Sequence, residues 1–105
     1  MADAVLMLTT APNASEAHKI AEALVERKLA ACVNIVPGIR SIYRWEAKVE
    51  AADEYLLLIK TAKTRASEVE AAVRELHSYD LPEVVVISIA GGSDAYLNWI
   101  AGSLG

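Results

Sequence analysis

The chain has 105 residues, of which 54% are hydrophobic and 23% charged, and its formal net charge is −4. This length and composition predict one globular domain, residues 1–105, that needs no disulfide or metal to hold its core. The acidic balance and the scattered lysines and arginines argue against a nucleic-acid partner, which requires a basic surface. They also argue against binding to an anionic membrane, and no apolar run is long enough for a membrane helix.

Cys32 is the one cysteine, so an internal disulfide is impossible and nothing in the chain requires an oxidising compartment. The first residues carry an acid where a secretory signal carries lysine or arginine, and strand-like sequence follows at once. We therefore expect a cytoplasmic protein.

Apolar spacing, caps and turn residues divide the chain into alternating strands and helices. Short apolar runs predict strands, while apolar residues at i, i+3, i+4 and i+7 predict helices. The predicted elements are strand 5–8, a helix of about four turns after Asn13, strand 31–36 ending at Pro37-Gly38, extended chain 39–45, a loop over 47–53, strand 54–60, a helix opening at residue 63 or 64 and ending near His77, strand 84–90, and a short C-terminal helix capped by Ser93.

The order β-α-β-β-α-β plus a terminal helix predicts an α+β, ferredoxin-like fold, in which two helices cover one face of an antiparallel four-stranded sheet. Strands with one covered face should alternate apolar and polar residues. Residues 5–8, 55–59 and 84–87 are instead unbroken apolar runs, a pattern typical of strands buried on both faces. We therefore expect further copies of the chain to cover the second face in a closed, symmetric oligomer.

Catalytic patterns are almost absent, because the chain contains neither a nucleophile elbow nor the cysteine and histidine spacings of common metal sites. Two residues are candidate ligands for Cu²⁺ or Zn²⁺. Cys32 offers a thiolate, although its apolar neighbours favour packing in the core. His77 offers an imidazole, although a histidine at a helix C-terminus is also explained as a cap.

Two groups of residues are candidates for the wall of a ligand cleft. The first is a polar cluster that follows the second helix, and its members are Tyr79, Asp80 and Glu83. Its spacing is not that of a metal site. The second is the pair Tyr43 and Trp45, which alternate onto one face of a strand. Such rings either pack against a neighbouring subunit or form one side of a binding site.

Four segments in this order resemble the CutA divalent-cation-tolerance family, and the similarity extends over nearly the whole chain. The segments are AACVNIVPG at 30–38, SIYRWE at 41–46, the pattern H-x-Y-x-x-P-E at 77–83 and the pattern D-x-Y-L-x-W-I at 94–100. The resemblance implies a ferredoxin-like homotrimer, similar in shape to PII-type signalling trimers. It also implies a role in tolerance of copper and other divalent cations.

Three departures from the family pattern bear on a metal site. The family's H-P-Y-E is H-S-Y-D here, from His77 to Asp80, and its W-E-G-K has Ala47 in place of glycine. Some members carry a first-strand cysteine regarded as a copper ligand, and this chain has Thr9 at the matching position. Only His77 of such a site is retained, so the resemblance implies weak metal binding.

We predict a trimeric, non-enzymatic protein that responds to divalent cations, binds Cu²⁺ or Zn²⁺ weakly and has other copies of itself as partners. An alternative is a PII-like signalling trimer that binds a small molecule in clefts between subunits. An enzyme that uses Tyr79 and Glu83 at a subunit interface is less favoured, because no base–nucleophile pair is visible in the sequence.

Overall fold

The computed structural model describes residues 3–105, and its elements follow the predicted order. The strands are β1 (Ala4–Ala11), β2 (Cys32–Trp45), β3 (Lys48–Ala62) and β4 (Val85–Ser88). The helices are α1 (Ala14–Glu26), α2 (Ala66–Leu76) and α3 (Asp94–Gly102), and a 3₁₀ turn at Lys63–Arg65 precedes α2. The strands form one antiparallel sheet in the order β2-β3-β1-β4, which confirms the ferredoxin-like α+β fold.

The two predicted caps are present. The Asn13 side chain accepts a hydrogen bond from the backbone N–H of Glu16 at 2.8 Å and so satisfies a free donor of α1. The Ser93 hydroxyl accepts from the backbone N–H of Tyr96 at 3.3 Å at the start of α3. The start of α2 is different, because its first turn is 3₁₀ and no side chain caps it.

The helices α1 and α2 cover one face of the sheet and complete an aliphatic core. Alternate residues of β1 point into this core, and Val5 and Met7 are fully buried. Burial of each such side chain contributes about 1.5–3 kcal/mol. The largest buried residues of the helices recur at helical spacing, as the sequence predicts: Ile20, Leu24, Val69 and Val73.

The opposite face of the sheet is half-buried. The side chains that alternate with the core residues, Leu6 and Leu8 of β1 and Leu56 and Leu58 of β3, have intermediate exposure. Helix α3 contacts β1 and β3, and its Ile100 is 1% exposed. The burial on two faces that the apolar runs predict is therefore complete on one face and partial on the other.

The prediction that Pro37-Gly38 ends the second strand was wrong. β2 continues through a register shift between Val36 and Ile39, where Gly38 has a φ of +75°. β2 lies at the edge of the sheet, and a proline at a bulge on an edge strand breaks no necessary hydrogen bond. The kink therefore redirects the strand without ending it.

The predicted turn or loop over 47–53 was wrong for residues 48–53, because these belong to β3, while Ala47 lies in the turn that precedes it. β2 and β3 remain paired as far as Trp45 and Lys48, and the chain reverses at Glu46 and Ala47, with φ values of 49° and 65°. A two-residue turn with positive φ at both positions matches the twist of a hairpin, so pairing continues through polar sequence. We call the hairpin beyond the register shift, residues 39–54, the arm.

Candidate functional site

A cavity of about 790 Å³ lies where the arm meets the segment that follows α2, and we call it the arm cleft. Its wall includes all five residues that the sequence indicated for a ligand cleft: Tyr43, Trp45, Tyr79, Asp80 and Glu83. The other lining residues are Thr10, Ser41, Ile42, Glu54, Ser78, Leu81 and Pro82. Residues from β1, the arm and the segment after α2 thus come together in one place.

The local structure explains how these residues meet. Tyr43 and Trp45 share one face of β2 because side chains of a strand alternate between its faces. Glu54 is paired with Ile39 at the base of the arm. Helix α2 ends at Leu76. The backbone of its C-cap residue, His77, is extended with φ −85° and ψ 144°, and the chain then passes along the cleft.

Glu54 and Tyr79 form the central polar contact of the arm cleft. Glu54 is 7% exposed, and its Oε2 accepts a hydrogen bond from the Tyr79 hydroxyl at 2.8 Å. Burial, and secondly this carboxylate, raise the pKa of Tyr79 to about 12. The phenol therefore remains a neutral donor at physiological pH and is a poor general base or nucleophile.

His77 lies behind the cleft with a fully buried side chain. Its Nε2 is 2.6 Å from the carbonyl oxygen of Thr10, and its Nδ1 accepts from the backbone N–H of Tyr79 at 3.0 Å. A hydrogen on Nε2 that is donated to the carbonyl, and a lone pair on Nδ1 that accepts from the N–H, fit these two partners. Both ring nitrogens are used within the fold, so a metal ion at Nδ1 must displace the Tyr79 N–H.

Glu16 connects α1 to the same segment. Its Oε2 accepts from the backbone N–H and the hydroxyl of Ser78, at 3.0 and 2.9 Å, and lies 3.3 Å from His77 Nδ1. A capping box would direct this carboxylate back to the start of α1. The structure directs it instead to the chain after α2, which fixes the position of that segment.

Cys32 lies in a different part of the sheet. It is half-buried at the start of β2, and its Sγ is 4.0 Å from Lys60 Nζ. Burial, and secondly the neighbouring Cys32, raise the pKa of Tyr96 on α3. Lys60 pairs with Leu6 of β1.

The two candidate metal ligands are therefore far apart. Thr10, which is bonded to His77, follows Leu6 by four residues on β1, and four residues of extended chain span about 13 Å. Within residues 3–105, no group of three or more histidine, cysteine, aspartate or glutamate side chains is placed to hold a metal ion. Thr9 is fully buried on the core side of β1, which excludes it from either surface.

The sequence interpretation missed Glu54, Glu16 and the carbonyl of Thr10. A signal for Glu54 was available, since it is a carboxylate directly before the unbroken apolar run of residues 55–59. No local sequence pattern predicts that Glu16 and the carbonyl of Thr10 make these contacts. The contact of Glu16 with Ser78 spans 62 positions and depends on how α1 packs beside the end of α2.

Comparisons with known proteins extend the resemblance seen in the sequence. Residues 5–103 match the family model described as CutA1 divalent ion tolerance protein. "Divalent-cation tolerance protein CutA" from Thermus thermophilus is 46% identical over 100 residues, which cover 95% of this chain and 97% of that protein. The crystal structure of CutA1 from Oryza sativa superposes with a TM-score of 0.96 at 40% identity and covers 99% of this chain and 95% of that chain.

A plant relative shows that the matching region can be part of a longer protein. "Protein CutA, chloroplastic" from Arabidopsis thaliana is 46% identical over 99 residues, which cover 94% of this chain but 54% of that protein. The family description and the name of the Thermus protein both refer to divalent ions. No helix within residues 3–105 is long and apolar enough to cross a membrane. From the match over residues 5–103 and the identity to these relatives, the chain belongs to the CutA1 divalent ion tolerance protein family.

Proposed function

We propose that this chain acts in tolerance of divalent cations without catalysing a reaction. The proposal is carried by family membership over residues 5–103, together with the name of the Thermus relative. The test uses a bacterial strain that lacks its own family member and measures the copper concentration that stops its growth. Expression of this chain is expected to raise the copper concentration that stops growth, and an unchanged concentration contradicts the proposal.

The proposed working form is a homotrimer, so the partners are other copies of the chain. Edge strand β4 supports an assembly, because its Val85, Val86 and Ile87 are 43–48% exposed and its outer edge is free for pairing within residues 3–105. On the arm, Ile42 and Val49 are 73% and 68% exposed. Exposed apolar surface of this kind is typical of contacts between subunits.

Light scattering tests the assembly directly. The trimer requires three times the 11.3 kDa mass of one chain, and a monomer contradicts it. Ile87→Glu is expected to reduce the mass because it introduces a charge on the exposed edge strand. Val25→Glu is the matched control, since Val25 is 41% exposed on α1, away from the sheet edge.

The proposed metals are Cu²⁺ or Zn²⁺, bound weakly through His77 or Cys32. Weak binding is expected because each residue offers one soft or borderline donor without a complete set of ligands around it. Calorimetric titration of the full chain with each metal measures the affinity, and His77→Ala and Cys32→Ser identify the ligand. Binding that is unchanged in both variants contradicts this assignment.

The proposed absence of catalysis is supported by the chemistry of the arm cleft. The phenol of Tyr79 has a raised pKa and donates its hydrogen bond to the Glu54 carboxylate. Both ring nitrogens of the buried histidine behind it are hydrogen-bonded to backbone groups.

We propose the cytoplasm as the location of the protein. Cell fractionation with an antibody to the chain tests this.

A further inference from the structure

The walls of the arm cleft combine aromatic rings with negative charge. Three carboxylates line the cleft, from Glu54, Asp80 and Glu83. No lysine, arginine or histidine is among the residues of 3–105 that line it. The cavity, at about 790 Å³, lies within the usual range of 300–1,000 Å³ for small-molecule sites. Its charge therefore favours a small cationic ligand.

The buried carboxylate of Glu54 is the strongest indication of a missing positive charge. Within residues 3–105 its one hydrogen-bond partner is the Tyr79 hydroxyl, which is neutral. Buried carboxylates are normally paired with a cation, because transfer of an unpaired charge from water is costly. The arginine at the base of the arm does not fill this role, since Arg40 is bonded to Asp53 at 2.9 Å.

The aromatic residues of the arm suit a cation that also has an apolar body. Tyr43 and Trp45 line the cleft and are 44% and 47% exposed. Rings of this type attract ammonium and guanidinium groups through the negative faces of their π-systems, and they bury hydrocarbon at the same time.

A bare metal ion fits this cleft less well. Small divalent cations require several oxygen or nitrogen ligands that converge within about 2.0–2.6 Å of one point. Within residues 3–105 no three histidine, cysteine or acidic side chains are placed in this way, so the three carboxylates surround the cleft without converging. An organic cation has its charge spread over a larger volume and can meet separate carboxylates and rings.

We propose that the arm cleft binds a small organic cation, an alkylammonium or alkylguanidinium compound, with its charge beside Glu54 and its alkyl part against Tyr43 and Trp45. This function goes beyond metal tolerance and does not depend on His77 or Cys32 as metal ligands. The cation supplies the positive charge that the fold leaves out, and the rings supply affinity for its hydrocarbon.

The two tryptophans of the chain allow a direct test by fluorescence. Trp99→Leu leaves Trp45 as the single tryptophan, and Trp45→Leu leaves Trp99, which is 48% exposed on α3. The probe is n-butylguanidinium, and neutral butyramide is the control ligand. In the full-length Trp99→Leu protein, butylguanidinium is expected to change the emission of Trp45 with saturation, whereas in Trp45→Leu it should leave the emission of Trp99 unchanged.

Calorimetry with the same probe assigns the carboxylates. Glu54→Gln is expected to weaken binding at least tenfold, while Glu22→Gln on exposed α1 leaves it unchanged. Glu83→Gln, at an exposed position of the cleft, keeps the test valid if Glu54→Gln fails to fold, and it is expected to weaken binding severalfold.

Absence of saturable binding, equal binding of butyramide, or full affinity in both Glu54→Gln and Glu83→Gln overturns the inference. Titration with Cu²⁺ and Zn²⁺ is a separate measurement. Loss of metal binding alone therefore contradicts the proposed metal function and leaves the cleft inference standing.

Discussion

The Tyr79 hydroxyl donates a hydrogen bond to Glu54 Oε2 at 2.8 Å, and this contact joins the segment after α2 to the base of the arm. The two residues are 25 positions apart in the chain, so the bond depends on the tertiary fold. Because Glu54 is 7% exposed, its carboxylate has exchanged most of its water for this phenol. The contact should therefore affect both stability and its dependence on pH.

Tyr79→Phe is expected to lower the free energy of unfolding by about 1–3 kcal/mol, because it leaves a buried carboxylate without its donor. Urea denaturation measures the change. Tyr43→Phe is the matched control, since Tyr43 is 44% exposed, and its expected change is less than about 0.5 kcal/mol. Equal effects of the two substitutions would show that the bond to Glu54 does not stabilise the fold.

The raised pKa of Tyr79 predicts a loss of stability in alkali. The pKa is about 12 in the folded protein, against 10.0 for an ordinary tyrosine. Between these values the folded state keeps a proton that the unfolded chain has released, so the contribution of Tyr79 is complete below pH 10 and is lost as the pH rises to about 12. The stability difference between the wild type and Tyr79→Phe should shrink over this interval, and a constant difference contradicts the prediction.

The sequence predicted the layout of the fold and the extended chain over 39–45, but not the second strand of the arm. Apolar periodicity and two caps, Asn13 and Ser93, were enough to place the helices and the order of the strands. The prediction missed the second strand of the arm because residues 48–53 are almost all exposed and so show no burial pattern. Its strands are held by pairing through a tight turn, and turns with positive φ at Glu46 and Ala47 are difficult to read without glycine or asparagine.

The wall of the candidate site was predictable in part. Tyr43 and Trp45 were indicated by alternation on a strand, and the cluster after α2 by its local density of polar groups. The two groups line one cavity because the fold brings their segments together, and neither segment alone predicts this. The buried partner Glu54 was missed because a single carboxylate beside an apolar run shows neither that it is buried nor which residue it contacts.

His77→Ala tests whether the imidazole supports the fold apart from any metal. Its ring nitrogens bond the Thr10 carbonyl and the Tyr79 N–H, and loss of the ring costs about 1–3 kcal/mol for each buried group left unpaired. His18→Ala is the control, since that side chain is 71% exposed and pairs with Glu22 on the same helix, α1. Chemical denaturation in the presence of a chelator should show a large loss for His77→Ala alone, and equal losses contradict the structural role.

Ala47→Gly is expected to stabilise the protein. Ala47 has a φ of 65°, a left-handed conformation that costs a residue with a Cβ about 1 kcal/mol or more and costs glycine almost nothing. Part of this gain is offset by the greater freedom of glycine in the unfolded chain, so the expected increase is about 0.5–1 kcal/mol. Ala51→Gly, in the extended part of the arm, is expected to have the opposite sign, and urea midpoints that move in the same direction would contradict the turn geometry.

Two buried threonines make a matched pair for the last prediction. Thr9 and Thr61 are both fully buried, but the Thr61 hydroxyl donates to the Leu29 carbonyl at 2.7 Å, whereas the Thr9 hydroxyl has no partner within residues 3–105. Replacing an unpaired hydroxyl by a methyl group of similar shape removes a desolvation cost, so Thr9→Val should raise the free energy of unfolding by about 1 kcal/mol. Thr61→Val should lower it by about 1–3 kcal/mol, because the Leu29 carbonyl loses its donor. Calorimetric Tm values should therefore move in opposite directions, and a loss for Thr9→Val would mean that its hydroxyl has a partner in solution.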